Sequence, residues 1–550
     1  MTAGVQTLRG ATVVDGTGSA GRNADVVIDG ERIVDVAGPG TASDGDVIDL
    51  DGLALAPGFI DCHTHYDAQV LWDPDVTPSS WHGVTTVMVG NCGFGIAPTR
   101  PSDREMIARI LENVEGMSIE ALLAGIPWTF ETFPEYLDAV ERTDLRLNVA
   151  AMIGHTPLRL YVMGEAATDR AATVEEVARM RALTAEAIGA GAIGFATSKS
   201  PAHAGAYGKP VPSRFAERSE IFEIAGALKD CGRGVFAATV GPGLYVDRLS
   251  ELAQRIDRPV TWTALSASAT SPTAKETLER QAALDGEVWP QIACRPIVMQ
   301  LTLADPFPFA RADAFTEILA RPHHERAALY RDAAWRVRAR ADMAEQFGGR
   351  WDRISVQETE VHQPVRDRSM VELAAERALD PLDVMVDLAL EEDLRTRFRF
   401  ILANDDEADL AAVLRDDRAL LGLSDAGAHA SQLCDAVFST YLLEHWVRDT
   451  GVLTLEKAVW RLTGHPADVF GLRDRGRIAP GCFADLVAFD PATIAVGEMH
   501  RVHDLPAGAD RLVARAEGIA SVWVNGRPIV EDGADVPFRS GMLIRNGGGR

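Results

Sequence analysis

The apolar positions change their period along the chain, and each period marks a type of element. Over the first 55 residues they alternate with polar ones, as in TLRGATVVDG and ADVVIDGERIVDVAG, with Asp29-Gly30 between two alternating runs. A period of two buries one face of a strand, and Asp-Gly supports a tight hairpin turn. The pattern returns in ADLVAFD (484–490) and IASVWVNGRPIVEDG (519–533), where Asn525-Gly526 is a second hairpin signal. Two β segments at opposite ends of the chain predict one split β-sandwich, built from residues 1–56 and 476–550.

From 57 to 475, short apolar runs alternate with amphipathic helical stretches, the pattern of a parallel α/β fold. Strands are predicted at about 58–65, 85–92, 146–154, 192–198, 234–240, 259–266, 288–295 and 419–425. That count suits a closed eight-stranded barrel. VEEVARMRALTAEAIG (175–190) has helical spacing, with Gly189 and Gly191 as stop signals. The stretch from about 267 to 400 is too long for one loop and contains helical runs such as ERAALYRDAAWRVRARADMAEQF (325–347). It is expected to be an inserted helical lid or subdomain. The predicted fold class is therefore α/β, a TIM (β/α)8 barrel with a small β-sandwich formed by both termini and a helical insertion.

Composition narrows the partners. The 550 residues are 47% apolar and 24% charged, which is globular, and only the closing NGGGR reads as disordered. A net charge of −26 opposes attraction to nucleic acid or to anionic membrane surfaces. There is no apolar run of membrane-spanning length, and the start, MTAGVQTLRG, lacks a signal-peptide pattern, so a cytoplasmic location is expected. Six scattered cysteines with no CxxC pair suggest neither a disulfide framework nor a zinc ribbon. Any cysteine with a role acts alone.

In such a barrel the chemistry sits at the C-terminal ends of the strands. The first strand closes on His63-Thr64-His65, whose side chains at i and i+2 leave from one face. The second closes on Cys92 between Asn91 and Gly93, and the eighth on Asp425 with His429 four residues on. Two imidazoles, a thiolate and a carboxylate can surround one zinc ion. Plainer readings exist: Cys92 as a small buried residue, Asp425 as the N-cap of a following helix in SDAG. Candidate substrate contacts are His155 and Arg159 after the third strand, Lys199 and His203 after the fourth, Arg295 after the seventh, and His429. A cation among them would hold a substrate carboxylate, which an acidic protein otherwise repels.

The motifs APGFIDCHTHYD (56–67), GVTTVMVGNCGFG (83–95), IGHTPLRLYVMG (153–164), GAIGFATS (191–198), GLSDAGAH (422–429), LTGHPADVFGLRDRGRIAPGCFADLVAFD (462–490) and VNGRPIV (524–530) carry a resemblance. In them the chain resembles the amidohydrolase superfamily, and within it the D-aminoacylase or N-acyl-D-amino-acid deacylase group. The resemblance implies a TIM barrel with a β-sandwich from both termini, and metal-assisted attack of water on an amide. His63, His65, Cys92 and Asp425 match its metal and catalytic positions. It also implies a more tightly held metal bound by one histidine from the fifth strand and one from the sixth. Here those strands end GVFAATVGPG (234–243) and VTWTALSAS (260–268), and no histidine lies between His203 and His323.

Three readings follow. One zinc, or another divalent ion, sits on the HxH side, held by His63, His65 and Asp425 with Cys92 or water as the fourth ligand. Alternatively Lys199 is carboxylated and bridges, as in hydantoinase-like hydrolases of cyclic amides. In the third reading the barrel has lost its chemistry and serves as a binding protein. The first makes the chain a hydrolase of carbon–nitrogen bonds other than peptide bonds, with Asp425 as general base and then general acid. Its partner would be a small-molecule amide, an N-acyl (D-)amino acid or a relative, with self-association into a homo-oligomer left open.

Overall fold

The computed structural model describes residues 4–42, 45–268, 272–309 and 312–545. The closing NGGGR lies outside the described residues. The chain separates into two compact units, Met1–Arg295 with Asp406–Arg550, and Pro296–Asp405.

Eight parallel strands order the first unit: Phe59–Asp61, Val84–Val89, Asn148–Gly154, Gly194–Ser198, Val235–Thr239, Val260–Thr263, Val288–Ile292 and Leu420–Leu421. They neighbour one another in sequence order. The ring closes where Thr64 bridges Ala426 in parallel and the His65 amide donates to the Ala426 carbonyl at 2.7 Å. The fold is thus a TIM-type barrel. Its strands are apolar on both faces because both faces are covered. Ile60, Met88, Met152, Ala196, Ala237 and Leu420 share one cluster, while their neighbours in sequence, Phe59, Val87, Ile153, Phe195 and Phe236, pack in the larger core beside helix residues such as Leu183, Ile221 and Leu249.

The helix read at 175–190 spans Val174–Ala190. Thr173 and Glu176 form a reciprocal capping box at its start, and Gly191 at φ 124° ends it; Gly189 is inside the helix and stops nothing.

The two ends of the chain meet in one sheet. Gln6–Val13, Arg22–Asp29, Arg32–Ala37, Asp46–Asp49 and Ala54–Pro57 join Leu486–Phe489, Ile519–Val524, Arg527–Glu531 and Ala534–Asp535 in nine strands. The seam is the antiparallel pairing of Ala54–Pro57 with Leu486–Phe489. Hydrogen bonding across that seam makes the main body one continuous mixed sheet, beside two small two-stranded ladders, and its strands enclose a shared core between them. Alternation places Leu55, Leu486, Ala488 and Trp523 in the sheet's own core, and Ala54, Ala56, Val487, Phe489, Val522 and Val524 in the large core that includes the barrel. Both hairpin signals are used. Asn525 and Gly526 have φ of 48° and 76°, as a two-residue turn with both residues left-handed requires. The first turn falls on Gly30-Glu31, since Asp29 still pairs with Arg32.

The inserted unit starts at Pro296, later than the expected 267, because the helix Ala274–Ala282 and the strand Val288–Ile292 belong to the barrel's own rhythm. It is not purely helical. Ile297–Thr302, Arg397–Ala403 and Ile354–Glu358 form an antiparallel sheet, and its core includes Phe309, Phe315, Trp335 and Phe400. The run at 325–347 divides into His323–Tyr330 and Ala333–Phe347, where Asp332 caps the second helix by accepting from the Ala334 amide.

Candidate metal centre

His63 and His65 leave the first barrel strand with ring centroids 5.4 Å apart. One ligand atom each from His63, His65 and Cys92 lies within 4.8 Å of the others. His63 Nε2 is 3.4 Å from Cys92 Sγ and 3.2 Å from Asp425 Oδ1, and His65 Nε2 is 3.5 Å from the same oxygen. The imidazoles are 2–3% exposed and the Asp425 side chain 38%, so the carboxylate is the open side of the cluster.

The backbone builds this convergence at some cost. Cys92 and Asp425 have φ of 56° and 49°, in the left-handed region that disfavours side chains. Gly93 beside Cys92 is required, since a Cβ there would lie 2.6 Å from the Thr197 Cα. The eighth strand is held to the first by Ser424, whose hydroxyl donates to Asp61 Oδ2 at 2.6 Å and accepts from the Ala426 amide. Burial pushes the Asp61 carboxyl up to about 7, against that hydrogen bond.

The electrostatics suit a cation. Burial opposes a charge on His63, but Cys92 and Asp425 outweigh it and hold the ring pKa up at about 10. Burial likewise opposes the Cys92 thiolate, yet His63 and His65 bring the thiol down to about 6. Asp425 is held well below the usual carboxylate range, the two imidazoles overcoming its burial. A site that draws protons onto its imidazoles is one where a divalent ion can displace them. Two nitrogens, a sulfur and a carboxylate oxygen are a donor set that fits zinc.

Three residues in this surrounding were not found from the sequence. Gln291 Oε1 lies 2.6 Å from His63 Nδ1, and Gln291 Nε2 donates to Thr261 Oγ1 at 3.2 Å. Glu115, buried at the end of the helix Arg104–Glu115, has Oε1 3.6 Å from His65 Nδ1. Burial raises its pKa to about 8. The signal for Gln291 was a polar residue inside an otherwise apolar barrel strand, whereas Thr261, in a strand with a second threonine at 263, carried none.

The six expected substrate contacts divide. His203 feels the charges of His65 and Asp425; its Nδ1 is 2.7 Å from Ser198 Oγ, and burial takes its pKa down to about 3, so it is neutral. His429 is half-buried near Asp425 and His65, with its Nδ1 atom buried and unpartnered and Gly116 leaving room beside it. The other four are engaged with protein partners. His155 Nε2 lies 3.0 Å from Glu220 Oε1, and Arg159 pairs with the same oxygen. Lys199 Nζ donates to the carbonyls of Arg214 and Ala216 at 2.6 and 2.8 Å. Arg295 is 3.2 Å from Asp435 and lies over the Tyr441 ring.

A barrel carrying such a cluster at its strand ends is the frame of a metal-dependent hydrolase acting on carbon–nitrogen bonds other than peptide bonds. A protein-family model described as "Amidohydrolase family" matches residues 46–530, and the chain belongs to that family. It is similar to a D-aminoacylase of Alcaligenes xylosoxydans xylosoxydans, 31% identical over 98% of this chain and 96% of that one. An N-acyl-D-aspartate deacylase of the same organism is 30% identical over 98% and 95%. A solved D-aminoacylase structure, described by a binuclear metal centre with one-metal activation and second-metal attenuation, matches with TM-score 0.68 and 28% identity over 98% of this chain and 99% of that one. Among the described residues no helix is long and apolar enough to cross a membrane.

Proposed function

We propose that the protein hydrolyses the amide of an N-acyl-D-amino acid at a one-metal centre held by His63, His65, Cys92 and Asp425. The observation that carries this is the convergence of ligand atoms of His63, His65 and Cys92 within 4.8 Å of one another, with Asp425 Oδ1 3.2 and 3.5 Å from the two imidazole Nε2 atoms. No histidine is offered by the fifth or sixth strand, which leaves the more tightly held metal position implied by the resemblance without those imidazole ligands, and the ion on the HxH side. Zinc bound there supplies Lewis acidity to the scissile carbonyl and lowers the pKa of water toward neutrality. Asp425, the open carboxylate, takes the proton from the attacking water and passes it to the leaving nitrogen. His203 and His429, neutral and half-buried, are suited to hydrogen-bond the substrate rather than to pair with its charge.

The linear amide is favoured over a cyclic one by Lys199. Its ammonium satisfies two backbone carbonyls, and a carbamate on the same nitrogen would turn anionic oxygens toward them. The intact cluster likewise favours catalysis over a binding role. Six free cysteines fit the reducing cytoplasm.

The test is zinc content with turnover of a panel of N-acyl-D-amino acids, N-acyl-L-amino acids and hydantoins. About one zinc per chain and release of a D-amino acid are expected. Asp425→Asn should lower kcat at least about 1000-fold while the fold persists. Zinc-free protein after gentle purification, or hydantoins as the only substrates, would overturn the proposal.

A further inference from the structure

We infer that Gln291 is the positioning residue that fixes which ring nitrogen of His63 faces the metal, and that Thr261 holds Gln291 to that task. The inference rests on the reading of His63 as a ligand. Gln291 and Thr261 lie on the seventh and sixth barrel strands, 1% and 0% exposed. A neutral imidazole has one N–H and one lone pair, and a side-chain amide has one oxygen that accepts and one nitrogen that donates. In the neutral form that a metal binds, Gln291 Oε1 at 2.6 Å from Nδ1 accepts the ring proton there and leaves Nε2 bare toward Cys92 and Asp425. That is the form a metal needs. With the amide turned over, its N–H would claim the Nδ1 lone pair and the ring proton would block Nε2. The hydrogen bond between Gln291 Nε2 and Thr261 Oγ1 at 3.2 Å keeps the amide placed against the ring, and because a hydroxyl both donates and accepts it fixes the amide's position while the metal on Nε2 selects its orientation.

The two imidazoles are therefore backed by different chemistry. His65 has the carboxyl group of Glu115 on its Nδ1 side at 3.6 Å, while His63 has an amide in direct hydrogen-bond contact. The sixth strand, which ends without a histidine, still serves the site from behind through Thr261.

The experiment is competition for zinc between a chelator and the full-length zinc-loaded protein. Gln291→Leu removes both amide atoms at similar volume and should weaken zinc binding about 10–100-fold. Gln291→Glu keeps an oxygen acceptor for Nδ1–H and should bind zinc as tightly as wild type or tighter. Thr261→Val removes the contact that holds the amide in place and should fall between them. Histidine nitrogen NMR of the zinc-loaded wild type should place the His63 proton on Nδ1, a result that a purely packing role does not require. If Gln291→Leu does not fold, the Glu and Val variants decide. Equal zinc affinity in all folded variants overturns this inference alone, as does Gln291→Glu losing zinc to the same extent as Gln291→Leu. A wild type that holds no zinc overturns the metal reading and this inference with it.

Discussion

Cys92 shows how much backbone cost one residue can justify. It occupies the left-handed region at φ 56° between Gly90 at 88° and Gly93 at 72°. For a residue with a Cβ, that conformation costs on the order of 1–3 kcal/mol. A thiol kept only for packing has no need of such a backbone, whereas a ligand gains from having Sγ 3.4 Å from His63 Nε2. Cys92→Ala is accordingly expected to lose most bound zinc and activity while the metal-free protein keeps its melting temperature within a few degrees, and Cys92→Ser should retain zinc more weakly. Metal analysis and melting curves decide; unchanged zinc and activity in the Ala variant would make Cys92 a packing residue. His63, His65, Cys92 and Asp425 could be singled out in the sequence because each stands at a strand end, where a barrel keeps its chemistry. Gln291, Thr261 and Glu115 could not, because a buried polar residue announces that it has a partner without saying which.

At the scale of elements, the eight strands were legible from their apolar runs, and the start of the insertion was not, since the barrel helix Ala274–Ala282 has the same periodicity as the inserted helices. His155 and Arg159 show a subtler limit. They stand four apart on the helix His155–Met163, as a substrate clamp would, but the helix Arg218–Asp230 brings Glu220 between them. Burial would raise the Glu220 carboxyl, yet His155 and Arg159 bring it down to about 2, below its ordinary 4.5. Its unfolded form therefore takes up a proton first, and the stability it contributes is fully present above about pH 4.5 and lost as pH falls toward 2. Glu220→Gln should cost roughly 3–5 kcal/mol near neutral pH by leaving Arg159 buried without its counter-charge. The gap to wild type should narrow markedly in urea titrations near pH 3, and an equal gap at both pH values would refute the linkage.

At the scale of the whole chain, the terminal sheet and the barrel's third strand meet in one buried polar knot. Asp485 pairs with Arg475, accepts from Asn148 Nδ2 at 3.1 Å and from the Asn525 amide at 2.8 Å, and Asn525 Nδ2 donates to Asn148 Oδ1 at 2.8 Å. Asn148 opens a barrel strand, Asp485 precedes the seam strand Leu486–Phe489, and Asn525 forms the hairpin turn. The sheet cannot form until both ends of the chain have been brought together, so its contacts are among the most distant in sequence and pay the largest closure entropy. The knot returns that cost only when barrel and sheet are both folded. Removing one partner of a buried ion pair costs roughly 3–5 kcal/mol, so Asp485→Ala should destabilise the two parts together. Trp523, buried in the sheet core, lies far in sequence from the barrel helices that dominate far-ultraviolet dichroism. Because ten tryptophans share the fluorescence, its signal is read as the fluorine NMR line of Trp523 in fluorotryptophan-labelled protein, assigned with Trp523→Phe, and that line and the dichroism of the Asp485→Ala variant should shift to lower denaturant by the same amount. A variant whose Trp523 signal unfolds first, while the helical signal keeps its wild-type midpoint, would show that the terminal sheet is an independent appendage and not a part of the fold that holds the barrel closed.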